Sequence, residues 1–293
     1  WSSDVCSSDL VVLALISLIM VIPLVLLVVA SFTSNNEIVL HGYSFFPKEL
    51  SLEAYRYIWN ERAQVFHAYG ITILVTAIGT TIGVMMTLLY AYVLAHEKFP
   101  GKTFLAFYLF FTMLFNGGLV PTYIMYTRYL HMKNTIPALI IPGLLMSAFN
   151  VILTRTYIQS NVPAALSEAA KIDGATEFQV FRKVVLPMCK PIIATVGLFA
   201  GLGYWNDWTN GLYYITDTNK FSIQQLLNNM IKNIEFLSKN ANSNINLASV
   251  GGGIPQETVR MAIAIVGLLP ILIVFPFVQK YFVKGISIGA VKG

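Results

Sequence analysis

The residues best suited to chemistry lie together in one polar stretch between two long apolar runs, Leu166 to Pro187 (LSEAAKIDGATEFQVFRKVVLP). Its charged side chains are Glu168, Lys171, Asp173, Glu177, Arg182 and Lys183. Alanines next to Glu168 leave the surface thin enough for another protein to approach closely, and the carboxylate can pair with an arginine. The residue types therefore favour docking of a partner protein, although a short amphipathic segment could also lie on a membrane surface.

The elements that hold this polar stretch can be read from residues typical of helix ends. Asn161 can cap a helix whose first turn contains Pro163, and Gly174 can end that helix in a left-handed conformation. Thr176 and Gln179 have the spacing of a capping box for a second helix. The pattern predicts two short helices joined by a tight turn.

The composition indicates a protein of the lipid bilayer. Hydrophobic residues make up 56% and charged residues 11% of the chain, against about 45–50% and about 25% in soluble domains. Most of the apolar runs reach the roughly 20 residues that a spanning helix needs. The runs without Asp, Glu, Lys or Arg are Leu10 to Phe32, Ala68 to Ala95, Thr103 to Thr127, Asn134 to Thr154, Pro191 to Asn206 and Met261 to Gln279. We predict an all-α, polytopic fold with six transmembrane helices.

The distribution of basic residues predicts the orientation, because Lys and Arg near the ends of spans stay in the cytoplasm. Segments 96–103, 155–190 and 279–293 are dense in Lys and Arg, whereas the other, longer loops are nearly neutral. We therefore expect two cytoplasmic termini and a cytoplasmic position for the polar stretch Leu166 to Pro187, called the elbow below. The net charge of +5 then reflects membrane topology, and no nucleic-acid partner is expected.

The same patterns predict how the chain is organised. We expect a non-native leader at 1–9, a first span at 10–32, an external loop at 33–66, a core domain at 67–283 and a cytoplasmic tail at 284–293. The core domain would contain the elbow helices at 162–186 and an external insert at 207–258. Motifs of metal sites, nucleophile elbows and phosphate loops are missing from the sequence, so we expect no catalytic residues, no metal and no cofactor on this chain.

The spacing within the elbow resembles the cytoplasmic signature of the membrane subunits of bacterial ABC importers. That signature is Glu-Ala-Ala, three residues, Gly, nine residues, Ile, one residue and Leu-Pro. Here it reads Glu168-Ala169-Ala170, Gly174, Val184 and Leu186-Pro187, with Val for Ile as the departure. The stretch Tyr204-Trp205-Asn206-Asp207-Trp208 and the glycine-containing tail are similar to the carbohydrate branch of these permeases, in particular the maltose-type and oligosaccharide permeases.

The resemblance implies a type I ABC importer permease fold and a set of partners. These are a second related permease in a heterodimer, two ATPase subunits that bind Mg-ATP, an extracellular solute-binding protein and a carbohydrate, which the resemblance narrows to an oligosaccharide. The elbow would be the coupling helix-turn-helix that seats in the ATPase. The residues that the resemblance assigns to coupling are Glu168, Ala169, Ala170, Asp173, Gly174, Ala175, Leu186 and Pro187.

Polar and aromatic residues in or beside the apolar runs are candidates for the substrate path. They are Tyr204, Trp205, Asn206, Asp207, Asn150 and Asn116. Polar groups facing lipid are costly and usually turn toward a cavity, and aromatic faces stack on sugar rings. Interfacial anchoring of the aromatic residues and hydrogen bonding between helices are the alternative explanations.

Two other functional classes fit a polytopic protein of this size. An ion-coupled secondary sugar transporter usually buries titratable residues in the membrane, and the six runs contain none. A membrane enzyme would need a catalytic motif, which the sequence lacks. The pattern therefore favours the permease.

Overall fold

The computed structural model describes residues 7–96, 99–241 and 256–290, which form helices and connecting turns. Within these ranges no β-strand occurs, and Thr33 and Leu50 form an isolated bridge. Residues 1–6 of the predicted leader, 242–255 of the predicted insert and 291–293 of the predicted tail lie outside the described part of the chain.

Three of the helices in the described part of the chain are long and apolar enough to cross a membrane. Their spanning segments are Leu10–Ser31, Arg62–Ala95 and Gln256–Val274. They belong to α1 (Ser7–Ser31), α4 (Arg62–Ala95) and the last helix of the chain (Gln256–Ala290). The uninterrupted apolar runs explain these helices, because every backbone polar group is satisfied within the helix.

The third predicted span is a bent pair of helices. α5 (Lys102–Leu114) and α6 (Leu119–Ile124) are separated by a turn, and α6 continues into a π-helical turn at Met125–Tyr129. The chain bends by 113° between Lys102–Leu114 and Leu119–Tyr129. Gly118 has φ +83°. The Gly118 N–H donates a hydrogen bond to the Asn116 side chain at 2.9 Å. The turn chemistry of Asn-Gly-Gly overrides the hydropathy of the run.

The fourth predicted span, Asn134 to Thr154, is also interrupted. It contains α7 (Pro137–Ile140) and the beginning of α8 (Ala148–Asn161), with an irregular connection between them. Gly143 in this connection has φ +72°, and the Pro142-Gly143 pair is a typical helix breaker. A continuous spanning helix is therefore the wrong description of this run.

The fifth predicted span is a helix of 17 residues, α12 (Lys190–Asn206). It follows the segment Glu177–Met188 with a bend of 81°. By length and composition the described helices give 3 spans, or up to 5 if each bent pair is one span. The count of six transmembrane helices stays a prediction.

The remaining helices are short or amphipathic. They are α2 (Asn35–His41), α3 (Glu53–Asn60), α9 (Ala164–Ile172), α10 (Glu177–Val180), α11 (Leu186–Met188), α13 (Thr209–Tyr214) and α14 (Ile223–Ala241), and the helix Gln256–Ala290 is α15. The chain divides into two compact units, one from Trp1–Phe66 with Leu226–Leu272 and one from His67–Gln225 with Ile273–Gly293.

In the first unit, polar and aromatic contacts join the ends of several helices. The Ser31 and Tyr55 hydroxyls lie 2.8 Å apart, and the Phe32 and Tyr55 rings stack at 4.8 Å. Arg260 at the start of α15 pairs with Glu235 of α14 at 3.6 Å. These contacts connect α1 with α3 and α14 with the last helix.

The second unit has its core where α4, α8 and α12 meet. Leu88, Leu94, Val151 and Val196 are buried in one cluster. Helix α4 approaches its neighbours through a glycine: a Cβ atom added at Gly83 would lie 2.7 Å from the backbone carbonyl oxygen of Leu145. The close approach positions α4 against the irregular connection before α8.

We predict that Gly83→Ala lowers the apparent melting temperature of the solubilised protein, because the new methyl group overlaps a backbone atom and overpacking costs about 1–3 kcal/mol. Gly70→Ala on the same helix is the matched control, since a Cβ there meets no atom within 4 Å. The control should melt at the wild-type temperature or slightly higher. Equal melting temperatures of both variants would contradict the close contact.

Candidate functional site

The first elbow helix, α9, ends in a left-handed glycine as the sequence predicts. Gly174 has φ +82°. Its N–H donates to the Lys171 carbonyl at 3.0 Å, and the Ala175 N–H donates to the Ala170 carbonyl at 2.9 Å. These two bonds form a Schellman motif, which satisfies carbonyls at the helix end. A side chain at Gly174 would have open space, so the backbone angle is what requires glycine.

The beginning of α9 differs from the prediction. Asn161 is the last residue of α8, and its side-chain amide donates to the Tyr157 carbonyl at 3.1 Å. Pro163, with extended backbone angles, is the residue that precedes α9. The predicted Asn161 cap is therefore wrong, because this side chain completes the preceding helix.

The second elbow helix, α10, begins with the predicted capping box. The Thr176 hydroxyl accepts from the Gln179 N–H at 3.4 Å, and the Gln179 side chain accepts from the Thr176 N–H at 2.8 Å. A π-helical turn, Phe181–Val185, follows, and α11 then contains Leu186 and Pro187. The box fixes the direction in which the chain returns toward the core.

The signature residues of the elbow divide between an outer and an inner face. Glu168, Ala169, Asp173, Gly174 and Pro187 are exposed. Next to them on the surface lie the apolar side chains Leu166, Ile172 and Phe178. Ala170, Ala175 and Leu186 pack against the buried core of the second unit. The elbow is thus anchored by one face while a mixed acidic and apolar face remains open.

Four polar groups join the elbow to the end of α4, and the sequence reasoning missed them. Glu177 forms an ion pair with Lys171 of α9 and accepts a hydrogen bond from the Tyr92 hydroxyl at 2.9 Å. His96 Nε2 lies 3.3 Å from Lys171 Nζ and 3.8 Å from the Glu177 carboxylate. The Tyr92 ring also packs against Phe181 at 5.2 Å between ring centroids. Sequence separation hid this cluster, since Tyr92 and Glu177 are 85 residues apart.

The Lys171 hydrogen bond lowers the pKa of Glu177, and hydrogen bonding from Tyr92 acts in the same direction against partial burial. The carboxylate is therefore stabilised in its charged form. Because the side chain is largely exposed, solvent screens the pair and its value lies in geometry more than in stability.

The aromatic stretch at the end of α12 has mainly structural contacts. Tyr204 is 2% exposed and its hydroxyl donates to the Ile140 carbonyl at 3.0 Å. The half-buried Trp205 ring lies 6.3 Å from the Tyr69 ring. The exposed Asn206 side chain donates to the Leu202 carbonyl at 3.0 Å. Asp207 accepts from the Thr209 hydroxyl at 2.6 Å and from the following N–H groups, so it caps α13.

The two candidate asparagines occupy different environments. Asn116 is exposed in the turn after α5, where it bonds to Gly118. Asn150 is buried near the start of α8 and lines a cavity of about 380 Å³. Of the six candidates for a substrate path, Asn150 alone lies among the described residues that line this cavity. The structure does not bring the six together.

Fold and site together define a class of protein: a polytopic α-helical membrane protein that presents an exposed, core-anchored pair of short helices. Within the described ranges, no group of three or more His, Cys, Asp and Glu side chains could hold a metal ion. The elbow has the chemistry of a docking surface, with a carboxylate, a glycine turn and flanking apolar residues.

Comparison with known proteins agrees with this class. The family model described as binding-protein-dependent transport system inner membrane component matches residues 79–288. The chain is 36% identical over 281 residues to a polygalacturonan/rhamnogalacturonan transport system permease protein of Bacillus subtilis, covering 96% of each chain. It is 34% identical over 290 residues to protein LplC of the same organism, covering 99% of this chain and 95% of the relative.

A solved structure has a similar fold. One chain of a bacterial ABC transporter involved in the import of the acidic polysaccharide alginate has a TM-score of 0.76 and 27% identity, covering 96% of this chain and 99% of its own. The protein therefore belongs to the family of binding-protein-dependent transport system inner membrane components. The all-α permease fold and the resemblance based on the Glu168-to-Pro187 signature are confirmed.

We predict that acid loosens the turn between α9 and α10. Since the pKa of Glu177 is lowered in the folded chain, its contribution to stability is complete above the ordinary carboxyl value and disappears as pH falls through the lowered pKa. Hydrogen exchange at 164–180, corrected for intrinsic rates, should show protection that falls along this acidic limb. Glu177→Gln should remove the acid-dependent component; an unchanged profile in this variant would refute the assignment.

Proposed function

We propose that this chain is the permease subunit of an ATP-driven, binding-protein-dependent importer that moves a carbohydrate into the bacterial cytoplasm. The observation that carries the proposal is the exposed face of Glu168, Ala169, Asp173 and Gly174 on an elbow whose other face packs into the core. Relatives described as permeases for polygalacturonan/rhamnogalacturonan and arabinooligosaccharides support an oligosaccharide as the substrate. The alginate importer supports an acidic one.

The partners in this proposal follow from what the chain offers. A second, related permease completes the translocation path, and two ATPase subunits bind and hydrolyse Mg-ATP outside this chain. An extracellular solute-binding protein delivers the sugar. The elbow and both termini lie on the cytoplasmic side of the cytoplasmic membrane, where the basic loops are concentrated.

In this arrangement the elbow transmits force by contact. The ATPase holds the outer face, with Glu168 paired to a basic side chain and the Ile172 side chain, 86% exposed, seated in an apolar depression. The inner face moves with the core because Ala170 and Ala175 are packed there. The Tyr92–Glu177–Lys171 contacts link that movement to α4.

We predict that Glu168→Lys reduces sugar uptake by about tenfold or more, since reversing one charge of an interfacial pair costs several kcal/mol. The protein should still insert in the membrane, because Glu168 is exposed on the elbow. Uptake into vesicles and the amount of ATPase that copurifies with the permease measure the effect. Glu61→Lys, at another exposed acidic residue, is the matched control.

Replacement of the turn residue tests the same surface by geometry. Gly174→Val should strain the left-handed backbone by about 1–3 kcal/mol and misalign Asp173 and Ala175, with a loss of uptake greater than the loss of membrane protein. Wild-type uptake and ATPase copurification in both Glu168→Lys and Gly174→Val would eliminate the proposed coupling role.

A further inference from the structure

The cavity of about 380 Å³ lies in the second unit, beside the first turn of α8. It falls in the size range of about 300–1,000 Å³ that is usual for small-ligand sites. Its walls come from α4, from the irregular connection before α8, from α8 itself and from α12. The lining residues are Gly83, Thr87, Gly143, Leu144, Leu145, Ser147, Phe149, Asn150, Val196, Phe199, Ala200 and Gly203.

Helix α8 begins inside a run that hydropathy predicts to be one continuous span. The residue preceding it, Ser147, has extended backbone angles, and its side chain makes no capping hydrogen bond. The first N–H groups of a helix have no partner within the helix and carry its positive dipole end. In membrane proteins, irregular backbone occurs where it is buried in protein or lines a cavity, and such half-helix ends face anionic groups of substrates.

Asn150 is a second, independent sign of a ligand. It lies in the first turn of the 14-residue helix α8, lines the cavity and is only 8% exposed. Among the described residues its side-chain amide has no hydrogen-bond partner. The residue lines the cavity, so an acceptor bound there can take its amide N–H donors.

The other walls suit a small ring that carries an acidic group. None of the lining residues is charged, so no carboxylate there would repel an anion. Phe149 offers an aromatic face to a sugar ring. A Cβ atom added at Gly143 would meet no atom within 4 Å, so the backbone is open to close approach there.

We propose that this cavity binds the carboxylate of one acidic sugar unit, a uronate, during its passage through the permease. The inference rests on the proposed carbohydrate import and names the chemistry of the sugar. The Asn150 amide N–H and the first N–H groups of α8 donate to the carboxylate oxygens. A neutral hydroxyl would interact more weakly with the positive helix end than a carboxylate, so the site distinguishes an acidic from a neutral sugar.

The test compares two probes of equal length, trigalacturonate and its fully methyl-esterified form, in proteoliposomes that contain the complete transporter. Asn150→Asp places a like charge at the site and should reduce uptake of the acidic probe by about tenfold or more, the scale expected for hydrogen bonds to a charged group. Uptake of the ester should stay within about twofold. Asn150→Leu removes the amide without adding a charge and should show the same selectivity with a smaller loss.

Gln159→Glu is the matched control, because it makes the same amide-to-carboxylate change at an exposed position of α8. It should transport both probes like the wild type. An equal loss of both probes in both Asn150 variants, or no loss in either, overturns the carboxylate site. If the wild-type transporter takes up the ester but not the acid, the carboxylate site is refuted and carbohydrate import is retained. If it takes up neither probe, the result counts against the proposed function as well.

Discussion

The attachment of the elbow to α4 is the interaction on which the rest of the structure depends. An exposed pair of short helices can transmit movement only if its position relative to the core is fixed. Packing of Ala170 and Ala175 against the core forms part of this attachment. The Glu177 contacts with Tyr92 and Lys171 orient the elbow relative to α4. Partly exposed ion pairs add little stability, but here several bonds converge on one carboxylate and restrict the angle of the turn.

The interruptions in the apolar runs have a common physical cause. Gly118 and Gly143 adopt positive φ angles, which end a helix at little steric cost. In a bilayer, the backbone groups released at such a break need partners. The first break satisfies one of them through the Asn116 side chain. At the second break the start of α8 lies beside a cavity. The second break is therefore the one with room for a ligand.

The local features of the elbow could be predicted from the sequence because they depend on neighbouring residues. The capping box at Thr176 and the left-handed turn at Gly174 are both present. Asn161 has the correct residue type for a cap, yet its amide bonds backward to Tyr157. The cluster of Tyr92 with Glu177 needs contacts between distant segments, which no local pattern contains. Hydropathy located the apolar runs, but it does not report where turn-forming residues break them.

The π-helical turn at Phe181–Val185 has a mechanical consequence. The Leu186 N–H bonds to the Phe181 carbonyl, five residues earlier, so this turn holds one residue more than an α-helical turn would. Each residue of an α-helix advances the direction of its side chains by about 100°. That single extra residue therefore sets the rotational phase of everything that follows, and it keeps Val185 and Cys189 pointing inward. A chain shortened by one residue here would present a different side of its next helix to the core.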